Sequence, residues 1–208
     1  MQVKVCGITD IGQAQVLDAL GLHYIGFIFY PSSKRYVLNH LSLTDLHDFK
    51  TTKAKKVGVF VNESLETLLN IVKAAGLDLV QLHGDEDVAY CAKVNEVVSV
   101  IKVFRVGAFV PNMSGFEQVV DYFLFDTDSA LYGGTGQHFN WEIIKNQTMT
   151  KPYFLSGGIG PNDIKGLEVM QTTRAGKQLW AVDLNSQFEI SPGNKDVEKI
   201  KIFIDAII

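Results

Sequence analysis

Cys6 closes a short apolar run in "KVCGIT" and has a glycine directly behind it; Asp126 closes another in "YFLFDTD". A thiol and a carboxyl facing each other across a pocket can act as a base and an acid. Free cysteine titrates at about 8.5 and aspartic acid at about 3.9, so each needs its surroundings to shift it. A helix N-terminus and nearby cations favour the thiolate, while a desolvated carboxyl holds its proton longer. Plainer readings stand beside these. A lone strand cysteine is a small buried hydrophobe, and Asp126 could cap a helix, with Thr127 and Asp128 as rivals for that place.

Other residues offer binding chemistry. Arg35 lies in "FYPSSKRYV", where Pro31 and two serines imply a turn. A guanidinium there suits a carboxylate or a phosphate; the alternative is a solvated arginine, as expected for Lys34. Gly157 and Gly158 in "SGGI", with Asp183, Asn185 and Ser186 in "DLNSQFE", suggest backbone N–H groups that can approach an anion closely. A tight turn is the other reading of the paired glycines. "GGTG" at 133–136 is a low-bulk loop that either folds over a ligand or is simply a loop. His83 in "QLHGDE" is a pocket wall, an acid–base group or a satisfied turn residue. Lys4 precedes Cys6 by two, so the two share a strand face. A lysine pointing inward needs a partner, and Asp183 is a candidate. His23, His40, His47 and His138 form no ligand pattern, and no metal is expected.

Elements that could hold these groups on one surface follow from periodicity. Short apolar runs recur as "VKVCGI", "YIGFIFY", "KVGVFV", "LDLVQLH", "VSVIKVF", "YFLFDTD", "PYFLSGGI" and "LWAVDLN". Between them lie segments of helical spacing, such as "IGQAQVLDALGL" and "SLETLLNIVKAAGL". The last, "KDVEKIKIFIDAII", sets Val197, Ile200, Ile204 and Ile207 on one stripe. Eight strand–helix units predict an α/β fold with parallel strands, closed as a (βα)8 TIM barrel and spanning 1–208 as a single catalytic domain. A doubly wound open sheet is the alternative, and no dinucleotide fingerprint supports it. In a barrel, active sites collect at the carboxyl ends of the strands. That edge receives Cys6, Arg35, Asn62, His83, Arg105, Asp126 with Asp128, Ser156 to Gly158, and Asp183 to Ser186. Loops seven and eight are the usual phosphate cradle of the fold. The longest irregular stretch, "SALYGGTGQHF", is a further candidate for function.

The totals bound the partners. With 208 residues, 47% apolar and 20% charged, the chain can bury a sizeable core. No apolar run approaches the ~18 residues of a membrane span, and the first residues read as no export leader. A cytoplasmic setting is expected, with Cys6 and Cys91 as reduced thiols. The net charge of −4 argues against a nucleic-acid partner. It also means that local donors must hold an anionic ligand.

Taken together, "KVCGIT", "GFIFYPSSKRYV", "VGVFVN", "LVQLHGDE", "FDTDS", "GGTGQHFNW", "LSGGIGPNDI" and "VDLNSQFEISPGNKD" resemble, in that order, the phosphoribosylanthranilate isomerase family of tryptophan biosynthesis. The resemblance covers essentially the whole chain. It implies an Amadori rearrangement of N-(5-phosphoribosyl)anthranilate, a small phosphosugar, without a cofactor, by a monomer or homodimer. By position, Cys6 matches the general base and Asp126 the general acid. Arg35 matches the residue that engages the anthranilate carboxylate, and Gly157, Gly158, Asn185 and Ser186 match the phosphate cradle. One departure is visible: the family often places two serines, a glycine and a small hydrophobe before the glutamate, where this chain has "NSQFE". Three other readings stand beside this one. The related isomerase of histidine biosynthesis needs a second phosphate site after strands three and four. A metal-dependent pentose-phosphate epimerase needs inward histidine and aspartate ligands, and a non-catalytic phosphosugar sensor needs only the barrel.

Overall fold

The computed structural model describes residues 1–127 and 139–207. Eight parallel strands close into a barrel in chain order: β1 (Gln2–Cys6), β2 (Tyr24–Ile28), β3 (Lys55–Phe60), β4 (Leu79–Leu82), β5 (Ser99–Val106), β6 (Tyr122–Thr127), β7 (Tyr153–Leu155) and β8 (Leu179–Leu184). β1 pairs with β2 on one side and with β8 on the other, which shuts the ring. Each expected strand is present; β7 is five residues shorter than its run, ending where Ser156 and two glycines turn the chain, and β5 extends two residues beyond its run.

Helices α1 (Ile11–Ala19), α2 (Leu43–Asp48), α3 (Leu65–Ala75), α4 (Val88–Asn95), α5 (Glu142–Lys145), α6 (Ile164–Gln171) and α7 (Val197–Ile207) pack around the ring. Their starts are written locally: Asp10, Ser64 and Asp87 each accept a hydrogen bond from the backbone N–H three residues on. α7 buries Ile200 and Ile204 as its stripe requires, with Phe203 joining them against Phe188. The fifth connection departs from the expected regular unit. "GAFVPNMSGF" makes a single 3-10 turn at Phe116–Gln118, because Pro111 and the left-handed Gly115 (φ 86°) interrupt helical spacing. No helix among the described residues is long and apolar enough to cross a membrane.

The inside of the ring changes character along its axis. Tyr24, Val57, Leu79, Ile101, Leu124, Phe154 and Ala181 fill the lower layers as an apolar plug. Strand parity then brings Lys4, Cys6, Gln81, Asp126 and Asp183 to the layer above. All five are buried, so the carboxyl-terminal mouth has a polar floor standing on a dry core. Cys91, on α4, is wholly buried in the apolar shell between helices and barrel.

Candidate active site

The floor is built around a buried ion pair. β1 and β8 are in register at Lys4 and Asp183, and the Lys4 Nζ lies 2.8 Å from both carboxylate oxygens. Burial alone would lower Lys4. Asp183, with a smaller contribution from the Cys6 sulfur, outweighs that and holds Lys4 above the ordinary lysine range.

Cys6 stands one step above Lys4 on the same face. Its sulfur fits because β2 offers a glycine opposite: a Cβ on Gly26 would come within 2.8 Å of Sγ. The glycine behind it has a different reason. Gly7 is left-handed (φ 78°), and a Cβ there would meet the Arg35 side chain at 2.6 Å and Asn185 Oδ1 at 3.1 Å. The "CG" pair therefore marks the point where loops one, two and eight converge over the thiol. The expected lowering of the thiol does not hold. Burial pushes Cys6 up, and the ammonium groups of Lys4 and Lys195 oppose this without winning. Nor does a helix end bear directly on the sulfur, since α1 begins at Ile11, beyond its Asp10 cap.

Across the ring, the Asp126 carboxylate is also buried. Its Oδ1 accepts from the Thr127 N–H at 2.8 Å, and its Oδ2 lies 3.1 Å from His83 Nε2. Gln81 places its side-chain nitrogen 2.9 Å from His83 Nδ1. Nε2 makes no hydrogen bond among the described residues, so this is a close polar contact. His83 is thus a neighbour of Asp126.

Loop seven lies directly on Asp126. Gly157 and Gly158 are consecutive left-handed residues (φ 87° and 75°), and a Cβ on Gly157 would collide with Thr127 and approach Asp126 Oδ1 to 3.2 Å. The N–H groups of Gly157 and Gly158 donate to nothing among the described residues. Loop eight contributes a short 3-10 turn at Ser186–Phe188, beginning beside Asn185. These are the parts of an anion cradle, set beside Asp126.

Arg35 is over the mouth, but its fork is occupied. Nε and Nη2 both bind the Glu189 carboxylate, at 2.8 and 2.5 Å. Glu189 Oε1 also accepts from Lys195 Nζ at 2.6 Å and from the Gly193 N–H at 3.0 Å. Lys195 in turn donates to Asn185 Oδ1 at 2.8 Å. Glu189 and Lys195 were missed by the sequence reading. They belong to a hairpin, β9 (Glu189–Ser191) and β10 (Asn194–Lys195), whose only local signal is Pro192-Gly193.

Among the other expected rim residues, Lys34 is exposed, as predicted. Arg105 pairs with Asp85, and Asn62 turns the third loop in a left-handed conformation (φ 51°). Asp128, "GGTG" at 133–136 and His138 lie outside the described residues. Loops three and four also border a separate cleft of about 470 Å³, lined by Glu63, Asp85, Glu86 and Asp87 against one lysine, Lys93. Two of these carboxylates are already paired, Asp85 with Arg105 and Glu86 with Lys102.

Comparison with known proteins agrees with this fold. A family model described as N-(5'phosphoribosyl)anthranilate (PRA) isomerase matches residues 3–206. The N-(5'-phosphoribosyl)anthranilate isomerase of Parabacteroides distasonis is 37% identical over 211 residues, covering 100% of this chain and 94% of that one. Among solved structures, a phosphoribosyl anthranilate isomerase in complex with reduced 1-(o-carboxyphenylamino)-1-deoxyribulose 5-phosphate superposes with a TM-score of 0.78 at 32% identity, covering 100% and 98% of the two chains. Monomers generated from the dimeric isomerase of Thermotoga maritima give 0.79 at 31%, with the same coverage.

Proposed function

The chain belongs to the N-(5'-phosphoribosyl)anthranilate isomerase family, and we propose that Cys6 and Asp126 are the base and acid with which it works. It is an isomerase of L-tryptophan biosynthesis. It converts N-(5-phosphoribosyl)anthranilate to 1-(2-carboxyphenylamino)-1-deoxyribulose 5-phosphate by an Amadori rearrangement.

Asp126 protonates the ribose ring oxygen, the ring opens to a Schiff base, and Asp126 is left as carboxylate. Cys6, as thiolate, then removes the C2′ proton to give an enolamine and a thiol; the enolamine tautomerises to the ketone, and return of the thiol proton to the Asp126 carboxylate restores the pair for the next turnover. Lys4 and Lys195 supply the positive charge that meets the thiolate as it forms. The phosphate rests on the N–H groups of Gly157 and Gly158 and the Asn185-Ser186 turn, beside the acid. Arg35 takes the anthranilate carboxylate. His83 is a wall against Asp126, and Asp183 fixes Lys4 beneath the thiol. Every one of these groups lies on one chain and one barrel domain, so a monomer suffices for turnover.

One observation carries the assignment: the thiol and the carboxyl are both buried at the same barrel mouth, and beside the carboxyl stand the Gly157 and Gly158 N–H groups, which donate to nothing among the described residues. General acid–base catalysis contributes roughly 10²–10⁴-fold per group. Cys6→Ser and Asp126→Asn should each lower kcat by that order while the reduced product analogue still binds. Loss of anthranilate-substrate fluorescence reads the rate; near-full turnover in either variant would overturn the assignment.

A further inference from the structure

Arg35 reaches the site with its charge half spent. Both Nε and Nη2 are taken by Glu189, whose side chain is only 4% exposed. The Arg35 Nη1 group has no partner among the described residues. The stem of the arginine lies against Gly7, next to the thiol. Glu189 itself is saturated: one carboxylate receives Arg35 from loop two, and Lys195 and Gly193 from the loop-eight hairpin.

We propose that Glu189 is a positioning residue for substrate recognition, clamping the Arg35 guanidinium by one edge so that the Nη1 edge is presented to the substrate's carboxylate. A long arginine side chain has many rotamers to lose when it binds a ligand. A bidentate partner removes that freedom before the ligand arrives, which is preorganisation. The charges fit the same purpose. Arg35 and Lys195 together carry two positive charges and Glu189 one negative, leaving a single positive charge for a singly charged carboxylate. The sequence hides this arrangement because the partners are 154 positions apart.

The inference rests on the reading that Arg35 meets the anthranilate carboxylate, and the test separates the two. Binding of the reduced product analogue is compared by calorimetry with its counterpart lacking the carboxyl group. A charge-assisted contact is worth about 10–100-fold in affinity, and the native protein should prefer the carboxylated ligand by that ratio. Arg35→Met should bring the ratio close to one; if it does not, the Arg35 reading fails and the inference falls with it. Glu189→Gln should cut the ratio about tenfold although Arg35 is present, raise KM, and leave kcat within about twofold, the mark of lost uniform binding. Glu189→Gln leaves Lys195 buried without its ion-pair partner, so Glu189→Gln/Lys195→Met serves as the second variant and should show the same lowered ratio. A native ratio in either Glu189 variant, or an equal loss of affinity for both ligands, would mean that Glu189 only staples the loop, and would overturn the proposal.

Discussion

Replacing Lys4 by methionine should unfold the barrel more easily at neutral and alkaline pH than at acid pH. Lys4 is wholly buried, and its Nζ sits 2.8 Å from both oxygens of Asp183, itself 6% exposed. Removing one member of such a pair leaves the other charge stranded, at a cost of about 3–5 kcal/mol. For a chain of this length each kcal/mol moves Tm by about 2–4 °C, so Lys4→Met should lower Tm by about 6–20 °C at pH 8. The pH dependence fixes the cause. Burial pushes Asp183 upward, and in the native protein Lys4 is the main force against it. Without Lys4, the folded-state pKa of Asp183 stands above its unfolded value of about 3.9. A group raised in this way keeps its full stability below the unfolded pKa and loses it as pH rises through the folded pKa. The deficit of Lys4→Met against the native protein should therefore be small near pH 4 and largest at pH 8. Lys4→Met/Asp183→Leu, which removes both charges, should regain at least half of the loss. Urea denaturation of the three proteins at both pH values measures this. A deficit below 1 kcal/mol at pH 8, or one of equal size at both pH values, would refute the buried-pair argument.

Two shorter expectations concern opposite ends of the barrel. On the amino-terminal face, the Asp18 carboxylate accepts from the N–H groups of Thr52, Lys53 and Ala54 and from the Thr52 hydroxyl, at 2.7–3.1 Å; Asp18→Ala should cost about 3 kcal/mol, read as a Tm drop of about 6–12 °C, with kcat unchanged. Burial would raise Asp18, but these donors prevail and hold it below the usual range, so its stabilisation is present above about pH 3.9 and is lost as pH falls through the lower folded pKa. At the mouth, burial holds the Cys6 thiol above its ordinary value, so kcat/KM should climb with pH between 7 and 9 and the climb should vanish in Cys6→Ser; a flat profile would count against a thiolate base. Cys91, pushed up to about 11 by burial, adds no ionisation in that window.

The eight strands could be read from the chain because each is a short apolar run with its own turn signal, and closure into a ring follows from parallel strands in sequence order. Parity then reaches one step further. Counting back two from Cys6 puts Lys4 in the barrel and makes an inward carboxylate such as Asp183 its candidate partner; the register sets the two side by side. Information of this kind is local to a strand. The fifth connection lost its helix through Pro111 and Gly115, signals that were present but outweighed by the regularity of the neighbouring units.

What parity cannot reach is contact between loops. Glu189 meets Arg35 only after a hairpin too short to show alternation has folded back across the mouth, so nothing in "NSQFEISPGNK" announces a partner in "SSKRYV". The sign of the Cys6 shift was lost for a related reason. A sequence shows that cations stand near the thiol, but burial acts through depth, and depth exists only once Gly26 has admitted the sulfur and loops one, two and eight have closed over it. Burial therefore raises the Cys6 thiol, and the same enclosure strengthens the pull of Lys4 and Lys195 on negative charge at its sulfur.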